Sequence, residues 1–246
     1  MIGGKDYINT KMNDLTLLYY SANIIPEATA EKIRENLLLV TKNQYPIVSV
    51  TQKPLDFGKN ICVGEIGVSK YNEYYQILTG LREVKTKYVA CIEDDVLYPP
   101  EHFDFRPPDD TFGYENNFWY AQEGKDFYWR HGDITKSGGM WGCISNTKHL
   151  LDNLTKRYEI FPDKSKIPPF WGEPGYFDER FGMENKKMFF ENSHPSVIFV
   201  THYSMGGVQL SRFHRRYGDP KPENKCYNLE RFGNAKELLD KYWNGN

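Results

Sequence analysis

Short runs of apolar residues, each followed by polar ones, predict the buried strands of a sheet. The runs Leu15–Tyr20, Ile47–Thr51 and Tyr88–Asp95 all begin with mostly apolar residues. Strands that are covered on both faces have this pattern. Val197–Thr201 is a later run of the same kind. These segments therefore predict a sheet whose strands lie in the protein interior.

Two amphipathic helices are predicted between the first three strands. The first opens with Pro26, which suits the first turn of a helix. Its apolar residues recur at helical spacing: Ala30, Ile33, Leu37 and Val40. The second begins after Ser69, a residue suited to cap a helix. Its apolar face consists of Tyr74, Leu78 and Leu81. Because strand–helix–strand order implies parallel strands, we expect an α/β fold, with a loop at Gln52–Gly67.

Residues 101–138 are more polar and aromatic than the first part of the chain. Asn117–Ala121 and Phe127–Trp129 flank Gly124, which is the pattern of a hairpin. This hairpin either forms a small second sheet over a functional site or is an ordinary edge hairpin. Further elements are predicted in the following order: a short helix at Thr147–Leu154, a loop at 162–176, a partly helical segment at Phe177–Phe190 and a closing helix at Ala235–Trp243.

Composition restricts the class of protein. The 246 residues, 39% hydrophobic and 26% charged, are ordinary for a globular protein. The net charge of −2 provides no general attraction for nucleic acid. The four cysteines form no Cys-x-x-Cys pair, which argues against a zinc ribbon and favours a reducing compartment. No stretch approaches the roughly 18 apolar residues of a membrane-spanning helix, and residues 1–14 lack a signal-peptide core. We therefore expect a cytoplasmic protein.

Three consecutive acids follow the third predicted strand: Glu93, Asp94 and Asp95. Open α/β sheets bind ligands at the carboxyl ends of their strands. Clustered carboxylates repel one another unless a cation lies among them. Oxygen ligands suit Mg²⁺ or Mn²⁺, which commonly bind phosphate oxygens as well. The triplet therefore predicts a metal–nucleotide site, and its alternative is a solvated acidic turn.

The order of several motifs resembles that of GT-A glycosyltransferases, particularly the family 2-like inverting enzymes, including uncharacterised and partly phage-encoded relatives. Glu93-Asp94-Asp95 is similar to their Asp-x-Asp-type motif, although Glu93 departs from the commoner Asp. Gly138-Gly139-Met140-Trp141 resembles their donor-sugar segment. Phe177–Asn185 looks like their FDERF stretch followed by an acid pair, with Asn185 in place of the second acid.

The resemblance implies a single GT-A (Rossmann-like) domain over residues 1–246, with a mixed, mostly parallel sheet flanked by helices and a small secondary β-hairpin region. Its nucleotide-binding half would span about 15–98, its acceptor and catalytic half about 99–217, and its C-terminal helix about 233–243. The implied activity is metal-dependent transfer of a hexosyl or pentosyl group from a nucleotide-sugar donor to a hydroxyl acceptor, with inversion.

The same resemblance implies a role for each candidate residue. Asp95 and His202 would hold Mn²⁺ or Mg²⁺. The expected donor-binding residues are Ser21, Glu93, Asp94, Gly138, Gly139, Arg215 and Arg216. Because Asn185 replaces the second acid, Glu184 becomes the first candidate for the general base and Glu173 the second. Each assignment has a plain structural alternative, such as a helix-start acid for Glu184.

Two other classes of protein compete with a glycosyltransferase. A nucleotidyltransferase is also a metal-dependent α/β enzyme, but the loop Ser21-Ala22-Asn23 lacks the expected glycines. A non-catalytic sugar- or nucleotide-binding module would use the aromatic residues as platforms. For the acceptor, we expect a glycan or other small hydroxyl compound bound between the hairpin and the 162–176 loop. A hydroxymethylated base of DNA is the rival acceptor, with Arg215 and Arg216 as local contacts.

Overall fold

The computed structural model describes residues 14–130, 138–168, 171–203 and 220–243. The expectation that no leader segment is present concerns residues 1–14 and so falls almost entirely outside this part of the chain. The predicted donor-binding residues Arg215 and Arg216 also lie outside it.

The first sheet has seven strands in the order β10-β6-β9-β4-β1-β2-β3. Their bounds are β1 Leu15–Ser21, β2 Ile47–Thr51, β3 Lys59–Cys62, β4 Tyr88–Ile92, β6 Thr111–Glu115, β9 Cys143–Asn146 and β10 Lys186–Phe190. The pairs β1–β2, β1–β4, β2–β3 and β6–β10 are parallel, whereas β9 is antiparallel to both of its neighbours. The prediction of a mixed, mostly parallel sheet is therefore confirmed.

Helices cover both faces of this sheet. Their bounds are α1 Glu27–Thr41, α2 Lys70–Leu81 and α3 Thr147–Ile160. A fourth helix, α4 Ala235–Tyr242, packs instead in one cluster with Ala121 and Val197 of other strands. Alternate residues of β1 point to opposite faces, so Leu17 packs in the same cluster as Leu37 of α1, and Leu18 in the same cluster as Leu78 of α2. The apolar faces predicted for α1 and α2 are buried as expected. None of the helices in the described part of the chain is long and apolar enough to cross a membrane.

A second sheet of five strands has the order β12-β8-β7-β11-β5. Its strands are β5 Val96–Leu97, β7 Phe118–Gln122, β8 Tyr128–Trp129, β11 Ser196–Val200 and β12 Lys225–Cys226, while β13 Asn228–Leu229 pairs separately with β14 Gly233–Asn234. The predicted hairpin is confirmed as β7 and β8, and Gly124 in its turn has φ +76°. It is part of a full second sheet rather than an isolated hairpin. Since β4 belongs to the first sheet and β5 to the second, the acidic triplet connects the two sheets.

Three segments differ from the prediction. The predicted loop at Gln52–Gly67 contains β3, a half-exposed edge strand without a strong apolar pattern. In the segment Phe177–Phe190 only a 3₁₀ turn at Asp178–Phe181 is helical, because Gly182 at φ +69° ends it and β10 follows. The predicted helix at Thr147–Leu154 continues to Ile160. The closing helix is confirmed as α4.

Candidate active site

The carboxyl ends of β1 and β4 place the acids beside the end of the first strand. Tyr19 lies opposite Ile92 in this parallel pair, so Tyr20 and Ser21 lie beside the acids that follow β4. The Tyr20 hydroxyl donates a 2.7 Å hydrogen bond to Oε1 of Glu93. The Ser21 hydroxyl donates to Oδ2 of Asp94 and accepts the Asn23 N–H at 2.8 Å. Ser21, predicted to bind the donor, therefore orients Asp94 in this structure.

Glu93 and Asp94 interact with charges from different helices. The pKa of Glu93 is raised by burial and by the charges of Asp94 and Glu173, while Lys70 of α2 opposes the rise. Burial raises the pKa of Asp94 to about 6, while the Ser21 hydrogen bond and Arg34 of α1 oppose this rise. The side chains of the two acids thus interact with helices on opposite faces of the sheet, as expected for successive residues at the end of a strand.

Asp95 is the least solvated of the three acids. It is 5% exposed, and its Oδ1 has no hydrogen-bond partner within the described residues. Burial, then the charges of Glu93 and Asp94, raise its pKa well above the usual range. The backbone carbonyl of Asp95 accepts the N–H of Phe199 in β11 at 2.8 Å, which holds the turn against the second sheet. A buried carboxylate oxygen without a partner needs either a proton or a cation.

These residues fit a hard divalent cation. Within the described residues, no group of three or more His, Cys, Asp or Glu side chains is arranged to hold a metal ion alone. Mg²⁺, however, is usually bound by one or two carboxylates, with the remaining oxygens coming from water and substrate phosphates. The unpartnered oxygen of Asp95, with Glu93 two residues earlier, meets that requirement. Asp95 and Glu93 therefore suit a divalent cation that takes its remaining ligands from a substrate phosphate group.

His202, predicted as a further metal ligand, lies just beyond β11. Its Nδ1 is 2.9 Å from Oε2 of Glu123, and its ring packs against Tyr203 with centroids 3.8 Å apart. The side chain is 57% exposed. Among the described residues, His202 makes no hydrogen bond or ion pair with Asp95. Its role as a metal ligand stays a prediction.

A second cluster of charges lies at the start of α2. The Lys70 ammonium is 3.0 Å from Oε1 of Glu73 and 3.4 Å from Oε1 of Glu173. The Ser69 hydroxyl accepts the Asn72 N–H at 3.1 Å and so caps this helix, as predicted. One turn further on, the amide of Gln76 donates to the backbone carbonyls of Ser21 at 2.8 Å and Val50 at 2.9 Å. These bonds fix the first half of α2 over the carboxyl ends of β1 and β2.

The charges of this cluster act on one another and on Glu93. Burial, with the charges of Glu93 and Glu173, raises the pKa of Glu73 to about 7 although Lys70 opposes the rise. Burial alone would lower the pKa of Lys70, but Glu73, Glu173 and Glu93 raise it well above its ordinary value. Lys70 therefore stays charged at neutral pH. Perturbed acids at the carboxyl edge of a sheet are candidates for chemistry.

The two candidate bases differ in their surroundings. The Glu173 side chain is 23% exposed and contacts Lys70. Glu184 is exposed between the 3₁₀ turn and β10, and it makes no hydrogen bond or ion pair with another described residue. It lies at no helix start, so the macrodipole interpretation does not apply. The structure thus brings Glu173, and not Glu184, to the charges that surround Glu93.

The paired glycines are explained by packing. A Cβ atom on Gly138 would lie 2.5 Å from the Cβ of Tyr114, and one on Gly139 would lie 2.5 Å from Nε1 of Trp141. The segment is joined to the acidic turn through Tyr98, whose hydroxyl accepts the Glu93 N–H at 3.2 Å and donates to the Trp141 carbonyl at 2.7 Å. Their role in donor binding stays a prediction. The contact with the Cβ of Tyr114 favours glycine at position 138, whereas the contact at position 139 is with the ring of Trp141, a side chain that can shift.

Sequence reasoning missed Lys70 and Glu73. A signal for them was present, because a helix that returns over a parallel sheet begins at the carboxyl edge of the strands. The residues that follow Ser69 in the first turn were therefore expected at the same edge of the sheet as the acids that follow β4. Glu173 reaches the same place from a loop, and no periodicity predicts that.

No protein-family profile matches the sequence, and no curated protein matches it. Several solved structures are similar to this chain. One is a glycosyltransferase involved in the glycosylation of the major capsid of PBCV-1, with 11% identity over 82% of this chain and 98% of that chain, and a TM-score of 0.48. A glycosyltransferase is thus among the structures to which this chain is similar.

Two further similar structures are a nucleotidyl transferase from Methanothermobacter thermautotroptrophicus and residues 1–349 of S. aureus TarS in complex with UDP-GlcNAc. The first is 12% identical, covers 83% of this chain and 96% of its own, and has a TM-score of 0.45. The second is also 12% identical, covers 82% and 64%, and has a TM-score of 0.46. With likenesses this distant, the function of the chain has to be argued from its own side chains.

Proposed function

We propose that this protein transfers a sugar from a nucleotide-sugar donor to a hydroxyl acceptor, with a divalent cation bound at the donor diphosphate. The observation that carries the proposal is the buried, unpartnered oxygen of Asp95 at the carboxyl edge of the parallel sheet. A carboxylate at this position can serve as a ligand to a cation whose other ligands are phosphate oxygens. The acids on the α2 side are then the candidates for the base that an acceptor hydroxyl would need.

Asp95, assisted by Glu93, would hold Mn²⁺ or Mg²⁺. Such a cation acts as a Lewis acid and stabilises the charge that develops on the departing diphosphate. Tyr20 and Tyr98 hold the side chain and the backbone of Glu93, and the N–H of Phe199 holds the backbone of Asp95. Arg215 and Arg216 remain proposed contacts to the diphosphate, since guanidinium groups match phosphate geometry.

Glu173 is our choice for the general base. An acceptor hydroxyl has a high pKa, so a positioned carboxylate must take its proton as the new bond forms. In this step the acceptor oxygen bonds to the anomeric carbon, the bond from that carbon to the diphosphate breaks, and the proton passes to Glu173. A single displacement of this kind inverts the anomeric carbon. The contact of Glu173 with Lys70 favours it over Glu184.

The acceptor is proposed to be a saccharide or another small hydroxyl compound. Trp171 of the 162–176 loop offers no open surface to a sugar, because it is 7% exposed and packs against Tyr71 and Phe181. The net charge of −2 gives no general attraction to DNA. Transfer to hydroxymethylpyrimidine DNA nevertheless belongs among the assays, since a flipped base also presents a hydroxyl.

The test is a panel of nucleotide sugars, including UDP-GlcNAc, assayed with Mn²⁺ and with EDTA. We expect a metal-dependent rise in Tm with at least one donor, because ligand bound to the native state stabilises it. Slow release of nucleoside diphosphate should accompany that rise. Binding without any release would favour a non-catalytic module. Release of pyrophosphate from a nucleoside triphosphate would favour a nucleotidyltransferase instead.

A further inference from the structure

The loop that carries Glu173 is held by a buried carboxylate that belongs to another segment. Asp178 is 2% exposed and lies in the 3₁₀ turn that follows the loop. Its Oδ1 accepts a 2.5 Å hydrogen bond from Nη2 of Arg157. Its Oδ2 accepts hydrogen bonds from the side-chain amides of Asn153 at 2.8 Å and Asn185 at 2.7 Å, and from the N–H of Gly175 at 2.6 Å.

Arg157 connects the same carboxylate to the other side of Glu173. It is fully buried in α3, donates from Nη1 to the Gly172 carbonyl and from Nη2 to the Glu173 carbonyl at 3.3 Å. The backbone on each side of Glu173 is thus tied to one ion pair. Gly175, at φ +82°, closes the turn in a conformation that favours glycine.

We infer that Asp178, with Arg157, Asn153 and Asn185, positions Glu173 for proton transfer. The inference rests on the proposed function of Glu173. The resemblance implied a base in the acid pair that follows FDERF, whereas here Asp178 within FDERF holds the loop that carries Glu173. Asn185 serves that purpose as an amide, since it donates to Asp178, whereas an aspartate there would place a second carboxylate 2.7 Å away.

Removing one partner of a buried ion pair strongly destabilises the fold. A loss of activity in an Asp178 or Arg157 variant could therefore come from unfolding rather than from a displaced Glu173. Asn185 offers a milder test. Asn185→Ala removes one donor, and Asn185→Asp adds repulsion against Asp178. Glu179→Gln is the matched control, because Glu179 is an exposed acid beside Asp178.

The experiment combines amide hydrogen exchange with kinetics of the full chain. We expect faster exchange at Gly175 in the order wild type, Asn185→Ala, Asn185→Asp, reaching about tenfold. Transfer kcat should fall in the same order by about tenfold, with the KM for the donor unchanged, since small displacements of a reacting group cost rate. Glu179→Gln should match wild type in both measurements.

A double-mutant cycle separates positioning from general stability. In a Glu173→Gln background, Asn185→Asp should cause no further loss of transfer, because the group it positions is already gone. A full additional loss in that background, or unchanged exchange at Gly175, would overturn the inference. If the wild-type chain turns over no donor, the proposed function fails, and exchange at Gly175 still decides whether Asp178 holds the loop.

Discussion

The ammonium of Lys70 lies 3.4 Å from Oε1 of Glu173, so the first turn of α2 and a distant loop meet at the carboxyl edge of the sheet. Lys70 also contacts Glu73 at 3.0 Å. With Glu93, whose charge acts on the pKa of both Lys70 and Glu73, these side chains surround one place beside the acidic turn. The proposed chemistry of the protein depends on this arrangement.

The first prediction concerns the base. Glu173→Gln should lower the transfer kcat by about a hundredfold, the scale of general-base catalysis, because glutamine cannot accept the proton. Glu184→Gln should remain within about twofold of wild type, since it contacts none of the described charged residues. Both variants are compared in single-turnover transfer at saturating donor. A strong loss of transfer activity in Glu184→Gln, together with normal activity in Glu173→Gln, would assign the base to Glu184. Glu73→Gln, measured in the same way, tests the remaining acid of the cluster.

The second prediction concerns Asp95, whose replacement should have opposite effects with and without ligand. Its raised pKa means that the ionised side chain destabilises the native state at neutral pH. Asp95→Asn should therefore raise the Tm in EDTA. It should also abolish the rise in Tm that Mn²⁺ and a nucleoside diphosphate produce in the wild type, expected to be about 4 °C or more.

Asp109→Asn is the control for that measurement, because Asp109 is an exposed acid whose ion pair with Lys87 and 3.3 Å hydrogen bond from Tyr88 lie at the protein surface. Such pairs contribute little to stability. The control should keep the ligand-induced rise in Tm. An Asp95→Asn protein that responds to Mn²⁺ and nucleotide as the wild type does would contradict the metal assignment.

The strands that cross the interior could be predicted because burial on both faces leaves a continuous apolar run, as in β1 and β4. The edge strand β10 begins Lys-Lys-Met and is largely exposed, so its sequence has no such pattern. It forms because it pairs with β6, which is a tertiary contact. Local periodicity therefore could not have identified it.

The residues of the candidate site also divide into those with a local sequence pattern and those brought together only by tertiary contacts. Glu93, Asp94 and Asp95 could be placed because they directly follow an apolar strand. The contact between Lys70 and Glu173, and the bonds from Arg157 to the loop, join segments that are far apart in the chain. Resemblance pointed to Glu184, whereas the packing of α2 and α3 brings Glu173 to the charges. Contacts of this kind are set by the fold and carry no local signal.

The third prediction concerns Gly138. Gly138→Ala should lower the free energy of unfolding by about 1–3 kcal/mol, the usual cost of overpacking. The added methyl would lie 2.5 Å from Cβ of Tyr114, which belongs to the strand β6 and cannot swing away. Urea unfolding measures the effect. An unchanged stability with weakened donor binding would instead support the role in which Gly138 lets the backbone approach the sugar.

The fourth prediction concerns the pH dependence that Glu73 imposes on stability. Its pKa is raised from 4.5 to about 7, first by burial and then by the charges of Glu93 and Glu173. A carboxyl with a raised pKa binds its proton more tightly in the native state, so its contribution is fully present below about pH 4.5 and is lost as the pH rises through about 7. At about 1.4 kcal/mol per pKa unit, the loss for this largely buried side chain is on the order of 3 kcal/mol.

Glu73→Gln should remove that loss, because glutamine stays neutral throughout. Urea unfolding at pH 5.5 and at pH 8, chosen to bracket the titration, should show a smaller decrease in the free energy of unfolding for Glu73→Gln than for wild type. Glu83→Gln is the control: the hydrogen bond from Lys59 lowers the pKa of the exposed Glu83, so its effect has the opposite sign and is confined to more acidic solutions. Over this interval Glu83→Gln should therefore follow the wild type. Equal pH dependence in Glu73→Gln and wild type would mean that Glu73 is already ionised at pH 5.5, and that Lys70 outweighs the burial of this acid.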